Sequence, residues 1–456
     1  MIVKNKIWTS IFVLGIVLGI SVFIYFRMPE TASAHPSPKI IPAGSEIDNE
    51  TIARIDRFGR SFAGWLESSF NSAIVPSVSA GIVWGDTLVY HHSMNATIDT
   101  PFGIASLSKT FTAVLIMRLV EQGTLSLDDP VRRYLPGVVI ERISIGSVPV
   151  TIRHLLAHTS GMPSYGAMTT GRLPGGRIIG FQTQVHPAGY SYSYNNEGYV
   201  ILMHIVEAAT GRTYPELMRE MVLQPLDMTS SSADCSNGTG GIRTTLRDLA
   251  KYTAMLNNRG VYRGKRILSE VSFEKMLDKN VELPPASIDY YYSLSWEVIT
   301  VEGKVDSFYK AGRWFNEASG LQVFPEKGIA LIYLCNPQQH LSSAFMGWRQ
   351  GLTGALRGLL RNIVGDQKLC SRWPMHTVQE LRRYEGNYIN QLTKEKIEIK
   401  FRQGQLVSIR NGNPTPLKSF TSNRFVRPDG RGIHDFVWRD QQVIGLALQS
   451  GFYQSK

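Results

Sequence analysis

Only three cysteines, Cys235, Cys335 and Cys370, occur in 456 residues. They are far apart and form no C-x-x-C or Cys/His pattern, which excludes a disulfide framework and a thiolate metal centre. Charged residues are sparse at 19% while hydrophobic residues reach 43%, so wholesale disorder is excluded, and the length suits two or three domains with sizeable cores. No repeat period runs through the chain, which removes solenoid, propeller and collagen architectures. A G-x-S-x-G elbow is missing, which disfavours an α/β-hydrolase. A P-loop and a correctly flanked G-x-G-x-x-G are missing too, so no nucleotide cofactor is expected.

Positive charge is in excess: 48 Lys and Arg against 37 Asp and Glu, a net charge of +11. Such a balance suits nucleic acid, anionic membrane or acidic wall polymer alike. From Val378 onward there are 13 basic and 7 acidic residues, dispersed and not in runs, which reads as solvated surface; no nucleic-acid partner is expected. Residues 7–26 carry no charge and follow Lys4 and Lys6, a run long enough to cross a hydrocarbon core of about 30 Å as a helix. The lysines favour a cytoplasmic N-terminus, so everything after Arg27 is placed across the membrane. Ala32-Ser33-Ala34 offers a cleavage site, and residues 1–27 read as a transmembrane anchor or a signal segment. The expected location is membrane-anchored with the folded part extracytoplasmic, periplasmic or extracellular, or secreted if cleavage follows Ala34. Residues 28–46, with Pro29, Pro36, Pro38 and Pro42, suit an extended linker.

From Ile47 the pattern is mixed. A helix to about Asn71 precedes a hairpin of residues 78–83 and 87–91 across Gly85-Asp86. A buried helix is predicted over residues 106–122, closed by Gly123, with further helices over 197–209, 215–223 and 245–256, the last opened by Thr245 and Asp248 as a capping pair. Residues 321–324 and 329–334 form another hairpin across Pro325-Glu326-Lys327-Gly328. Strands at both ends and helices between them predict an α+β fold, an antiparallel sheet flanked by helices with a helical insert, over residues 47–365. After a break around 361–374, short alternating runs with turns at Gln403-Gly404 and Asn411-Gly412 predict a small, mostly β domain over residues 376–456.

Ser106-Leu107-Ser108-Lys109 is an S-x-x-K motif at the start of the buried helix, where a spacing of three puts Ser106 and Lys109 on one face. Ser272-Phe273-Glu274-Lys275 and Ser307-Phe308-Tyr309-Lys310 match the same pattern. The first of these lies in a charged helix, and the second runs along a strand, where its ends face opposite ways. Ser106 alone follows a small-residue entry, Phe102-Gly103-Ile104-Ala105, into a helix N-terminus able to polarise a nucleophile. Downstream, in order, stand Tyr194-Asn195-Asn196 and Lys310-Ala311-Gly312. With them come the run from Thr151 through His154 and His158 to Gly161, then Gln224-Pro225-Leu226-Asp227-Met228-Thr229 and Gly240-Gly241-Ile242. Together these resemble the serine β-lactamase-like family of class C β-lactamases, low-molecular-weight penicillin-binding proteins, esterases and D-aminopeptidases, over roughly residues 50–340. Leu381 to Tyr388 resembles the opening of the small barrel-like domain often appended in that family.

The resemblance implies a serine hydrolase acting through a covalent acyl-serine on an amide or ester: a D-amino-acid peptide, a β-lactam or a carboxylic ester. Ser106 would be the nucleophile. Lys109 and Tyr194 would share the general-base work, Lys310 adding a second positive charge beside the tyrosine, and Asn196 would orient Lys109 and substrate. Backbone N–H groups of Ser106 and Arg313 would form the oxyanion hole, with Ala311 and Gly312 along the substrate strand. No metal or cofactor is implied; the partner is a small-molecule or peptide substrate. Ala311 stands where relatives that recognise β-lactams carry a hydroxyl residue, which puts β-lactam turnover in question. Arg313 is a replacement cation for a carboxylate, and Trp314 with Phe315 an acyl pocket, unless all three only pack at the strand end. His154 and His158 lack an H-E-x-x-H context and read as structural. The alternative in another class is a penicillin-binding sensor or a catalytically silent scaffold with the same fold.

Overall fold

The run Ile329-Ala330-Leu331-Ile332-Tyr333-Leu334-Cys335 offers no polar side, and a strand of that kind must be covered on both faces. The computed structural model describes residues 48–141, 148–162, 171–172, 178–184, 186–283, 289–338, 342–366, 381–390, 394–419, 424–426, 433–439, 442–448 and 451–455. In it Ile329–Cys335 is a strand buried along its whole length. Ala330, Ile332 and Leu334 belong to one core, and Ile329, Leu331, Tyr333 and Cys335 to a second. This is the alternation that the pleat imposes.

That strand is central in an eight-stranded sheet. In chain order the strands are β1 (Val78–Trp84), β2 (Thr87–Met94), β3 (Val281–Glu282), β4 (Asp289–Tyr292), β5 (Glu297–Val301), β6 (Lys304–Trp314), β7 (Glu317–Phe324) and β8 (Ile329–Cys335). The spatial order is β3-β4-β5-β6-β7-β8-β1-β2, antiparallel throughout. Helices α1 (Asn49–Ser69) and α6 (Ser342–Val364) cover one face through Phe62, Leu66, Phe345, Leu352 and Leu356. The helices inserted between β2 and β3 build the core of the other face: α2 (Ser108–Glu121), α3 (Ile152–Leu156), α4 (Glu197–Thr210) and α5 (Leu246–Asn257). The expected α+β class, sheet and helical insert are present.

Local departures have local causes. The predicted helix at 106 begins two residues later, because Ala105–Leu107 forms a 3-10 turn first. The stretch 215–223 is an α-helical Tyr214–Met218 followed by a π turn, Arg219–Leu223. Thr245 caps α5 by accepting from the Asp248 N–H at 3.1 Å. The Asp248 carboxylate does not return the bond; it accepts from Ser230 N–H and Ser231 Oγ at 2.8 and 2.9 Å, so the expected pair is half formed.

The C-terminal strands are Gly386–Asn390, Lys396–Arg402, Gln405–Arg410, Asn413–Ser419, Arg424–Val426, Ile433–Arg439, Gln442–Leu448 and Gly451–Ser455. They close into a barrel, the last pairing back on the first. Gln403-Gly404 and Asn411-Gly412 turn with positive φ at both positions (49° and 82°, 50° and 78°), the twist-matched geometry of two-residue hairpins. The anchor or signal expected over residues 1–27 and the linker over 28–46 lie outside the described residues. Among the described residues no helix is long and apolar enough to cross a membrane.

Candidate active site

The sheet clamps the turn that carries Ser106. Beyond Tyr309, β6 has parted from β5, and its Lys310–Trp314 portion stays paired only with β7. A Cβ on Gly312 would lie 2.1 Å from the Ile104 carbonyl oxygen and 2.9 Å from Leu107 N, so only glycine lets β6 come this close to the turn. From β7, Ser319 Oγ donates to the same Ile104 oxygen at 2.7 Å. Between these supports Ala105 adopts φ 45°, a left-handed conformation uncommon for a residue with a side chain. Ser106 follows it, partly exposed, while Lys109 on the first turn of α2 is fully buried.

A buried ammonium must spend its protons on acceptors. Lys109 Nζ donates to Ser106 Oγ at 3.2 Å, to Asn196 Oδ1 at 2.9 Å and to the Thr239 carbonyl at 2.8 Å. Thr239 Oγ1 also donates to Asn196 Oδ1 at 2.8 Å. Tyr194 Oη donates to Ser106 Oγ at 2.8 Å. Two lysine amines stand near the Tyr194 ring, Lys109 Nζ 5.1 Å and Lys310 Nζ 5.3 Å from its centroid. Lys310 Nζ also donates to Tyr292 Oη. Burial, with the neighbouring phenols adding to it, raises the Tyr292 pKa well above the ordinary tyrosine range, so that group is a neutral acceptor.

Five residues expected from the sequence, Ser106, Lys109, Tyr194, Asn196 and Lys310, therefore meet in one cluster, and Gly312 abuts its turn. The Arg313 side chain goes elsewhere: its guanidinium stacks 5.3 Å over Phe345 of α6, and burial together with Arg349 lowers its pKa. Trp314 ends β6 and Phe315 follows it in the turn; the two form an edge-to-face pair, 58% and 53% exposed, so they are not packed away at the strand end. The other S-x-x-K copies stay apart from the cluster as serines: Ser272 sits in the helix Glu270–Leu277, and Ser307 accepts from Gln322 on β7.

Thr239, Tyr292 and His158 join the cluster with no motif in the sequence to mark them as site residues. Thr239 acts through a backbone carbonyl, which has no side-chain signature, although it directly precedes the Gly240-Gly241-Ile242 match. His158 stands four residues after His154, a spacing that on a helix would put both on one face. In the structure α3 ends before it, and at φ 56° it turns away, while His154 Nδ1 accepts from Thr151 N–H as part of a capping box. Among the described residues no three His, Cys, Asp or Glu side chains converge as metal ligands would.

This sheet between two helical layers, with a serine turn docked against one strand, is the architecture of serine β-lactamases and penicillin-binding proteins. SurE, solved with D-Leu, superposes with a TM-score of 0.61 over 89% of this chain and 100% of its own, at 19% identity, a likeness of fold. The beta-lactamase family pattern matches residues 71–355, and the chain belongs to that family. Penicillin-binding protein 4* of Bacillus subtilis is 35% identical over 164 residues, which cover 32% of this chain and 35% of that protein. The D-alanyl-D-alanine-carboxypeptidase/endopeptidase AmpH of Escherichia coli is 22% identical over 52% of this chain and 71% of its own length. The chain thus spans about a third of the length of the first curated relatives it matches.

Proposed function

We propose that this chain is an exported serine hydrolase that cleaves an amide or ester through an acyl-Ser106 intermediate, with D-amino-acid peptides as its substrate class ahead of β-lactams. The observation that carries the reading is the convergence of Tyr194 Oη and Lys109 Nζ on Ser106 Oγ, at 2.8 and 3.2 Å, beside a buried lysine with three acceptors. Once the Tyr194–Lys109 pair has given up one proton to solvent, Ser106 Oγ attacks the carbonyl carbon and its own proton passes to that pair. Lys109 and Lys310, both near the Tyr194 ring, stabilise negative charge on the phenol oxygen during that transfer. The carbonyl oxygen becomes an oxyanion held by the backbone N–H groups of Ser106 and Arg313, Gly312 having set the distance between strand and turn. The leaving amine or alcohol takes the proton, and water, activated by the same pair, releases the acid and restores Ser106.

Three features favour D-amino-acid peptides. Ala311 brings no hydroxyl for a β-lactam carboxylate, AmpH is named for D-alanyl-D-alanine cleavage, and SurE was solved with D-Leu. The uncharged run of residues 7–26 behind Lys4 and Lys6 supports export, with the hydrolase outside the cytoplasm. The test is intact-mass spectrometry of the protein with a D-Ala-D-Ala peptide and, separately, a penicillin, beside Ser106→Ala. Peptide cleavage lost in the variant is expected. A lasting penicillin adduct without turnover would move the reading to a penicillin-binding sensor, and undiminished cleavage by Ser106→Ala would overturn it.

A further inference from the structure

We infer that His158 is the positioning residue for Tyr194 and that it does so only in its neutral, Nε2-protonated form. The inference rests on the acyl-serine reading but concerns a residue outside that machinery. His158 holds both chain neighbours of the tyrosine. Its carbonyl accepts from the Ser193 N–H at 2.8 Å, and its Nδ1 accepts from the Asn195 N–H at 3.1 Å. A ring nitrogen that accepts from an amide carries no proton, so the neutral ring bears its hydrogen on Nε2. The imidazole also packs directly on the Tyr194 ring, centroids 4.3 Å apart, and the residue is 1% exposed. One residue thereby fixes the backbone on both sides of Tyr194 and the plane of its ring.

The surroundings make the protonation state matter. Around the imidazole stand Tyr199 of α4 at 5.1 Å, Tyr292 of β4 at 5.3 Å, and Tyr192 and Tyr194 of the incoming segment, all centroid distances. Across those rings lie Lys109 of α2 and Lys310 of β6. Protonation would put a hydrogen on Nδ1, remove the acceptor for Asn195, and place a third cation beside two others. As pH falls, Tyr194 then loses its register with Ser106.

At φ 56° the position accepts asparagine readily. His158→Asn places an oxygen near Nδ1, keeps the acceptor and cannot titrate, whereas His158→Phe keeps a ring and removes the acceptor. Phosphonylation of Ser106 by a fluorophosphonate, followed by mass against pH, should fall in acid with two protons in the wild type and one in His158→Asn. At neutral pH His158→Asn should react at close to the wild-type rate, and His158→Phe about 10-fold or more slowly, the loss expected from one unsatisfied buried amide. A second readout needs no reaction. Tyr-Asn occurs once in the sequence, at Tyr194-Asn195, so ¹³C-carbonyl tyrosine with ¹⁵N-asparagine isolates the Asn195 amide by NMR. Its resonance should move as the pH is lowered in the wild type and stay still in His158→Asn. Identical acid limbs, or an Asn195 resonance that ignores pH in both proteins, would overturn the role of His158 even with Ser106 reacting normally. Labelling that persists in Ser106→Ala would instead overturn the acyl-serine reading on its own.

Discussion

At the scale of single residues, burial decides which groups change charge with pH. His186 is 3% exposed, and desolvation pulls its pKa down to about 4 from the ordinary 6.5, against a weaker opposing effect from the Pro187 carbonyl bonded to Nδ1 at 3.0 Å. The folded protein keeps this ring neutral, while the unfolded chain binds a proton below pH 6.5. Its contribution is therefore fully present above pH 6.5 and lost as pH falls toward 4. A difference of that size corresponds to about 3 kcal/mol once both states have titrated. Urea midpoints of the wild type should drop between pH 6.5 and 4 by more than those of His186→Gln; parallel curves would mean that the unfolded chain and the folded protein bind this proton equally. Lys109 is held differently, a buried amine with three acceptors, and Lys109→Met should keep the core packed yet abolish acylation of Ser106, as intact mass would show.

At the scale of elements, the site depends on how close a strand can come to a turn. Gly312→Ala inserts a methyl group where Ile104 O and Leu107 N already stand 2.1 and 2.9 Å away. Neither is the end of a flexible side chain, so β6 or the Ser106 turn must move. Overpacking of this kind costs about 1–3 kcal/mol, and acylation should fall more steeply than thermal stability, because the same movement widens the gap between Ser106 and the strand. A variant with normal acylation would show that the turn relaxes without harm. Much of this level was legible in the sequence. Apolar runs joined by turn residues mark β1, β2, β7 and β8, the apolar run after Ser106 marks α2, and the ordered motifs single out Ser106, Lys109, Tyr194, Asn196 and Lys310. What could not be read were features settled by tertiary contact. The two-residue delay of α2 comes from a turn pinned by Ser319 and Gly312, residues more than 200 positions downstream. The Thr239 carbonyl is a backbone acceptor that any residue would supply, and His158 leaves the helix pattern because it adopts a left-handed φ that spacing alone does not reveal.

At the scale of the whole molecule, the chain divides its apolar residues among cores that share no members. The barrel is built on Tyr384, Tyr388, Ile397, Ile399, Leu406, Leu417, Phe436 and Leu446, and none of these enters the two cores that sandwich the eight-stranded sheet. Phe436 is its keystone: it is 0% exposed, meeting Tyr384 edge-on at 4.7 Å and Tyr388 at 5.7 Å. Closure also removes every sheet edge, so the barrel's stability rests on this small interior and its ladder, not on strands lent by the larger sheet. Phe436→Ala should therefore destabilise the barrel by about 3–5 kcal/mol. In a thermal scan that loss appears as an earlier transition, while the rate of Ser106 acylation at 25 °C stays at the wild-type value as long as the barrel remains folded. The two measurements separate the alternatives. A fall in acylation that tracks the loss of barrel stability would mean that the barrel supports the serine turn directly, and an unchanged rate would leave it a module with its own fold and its own task.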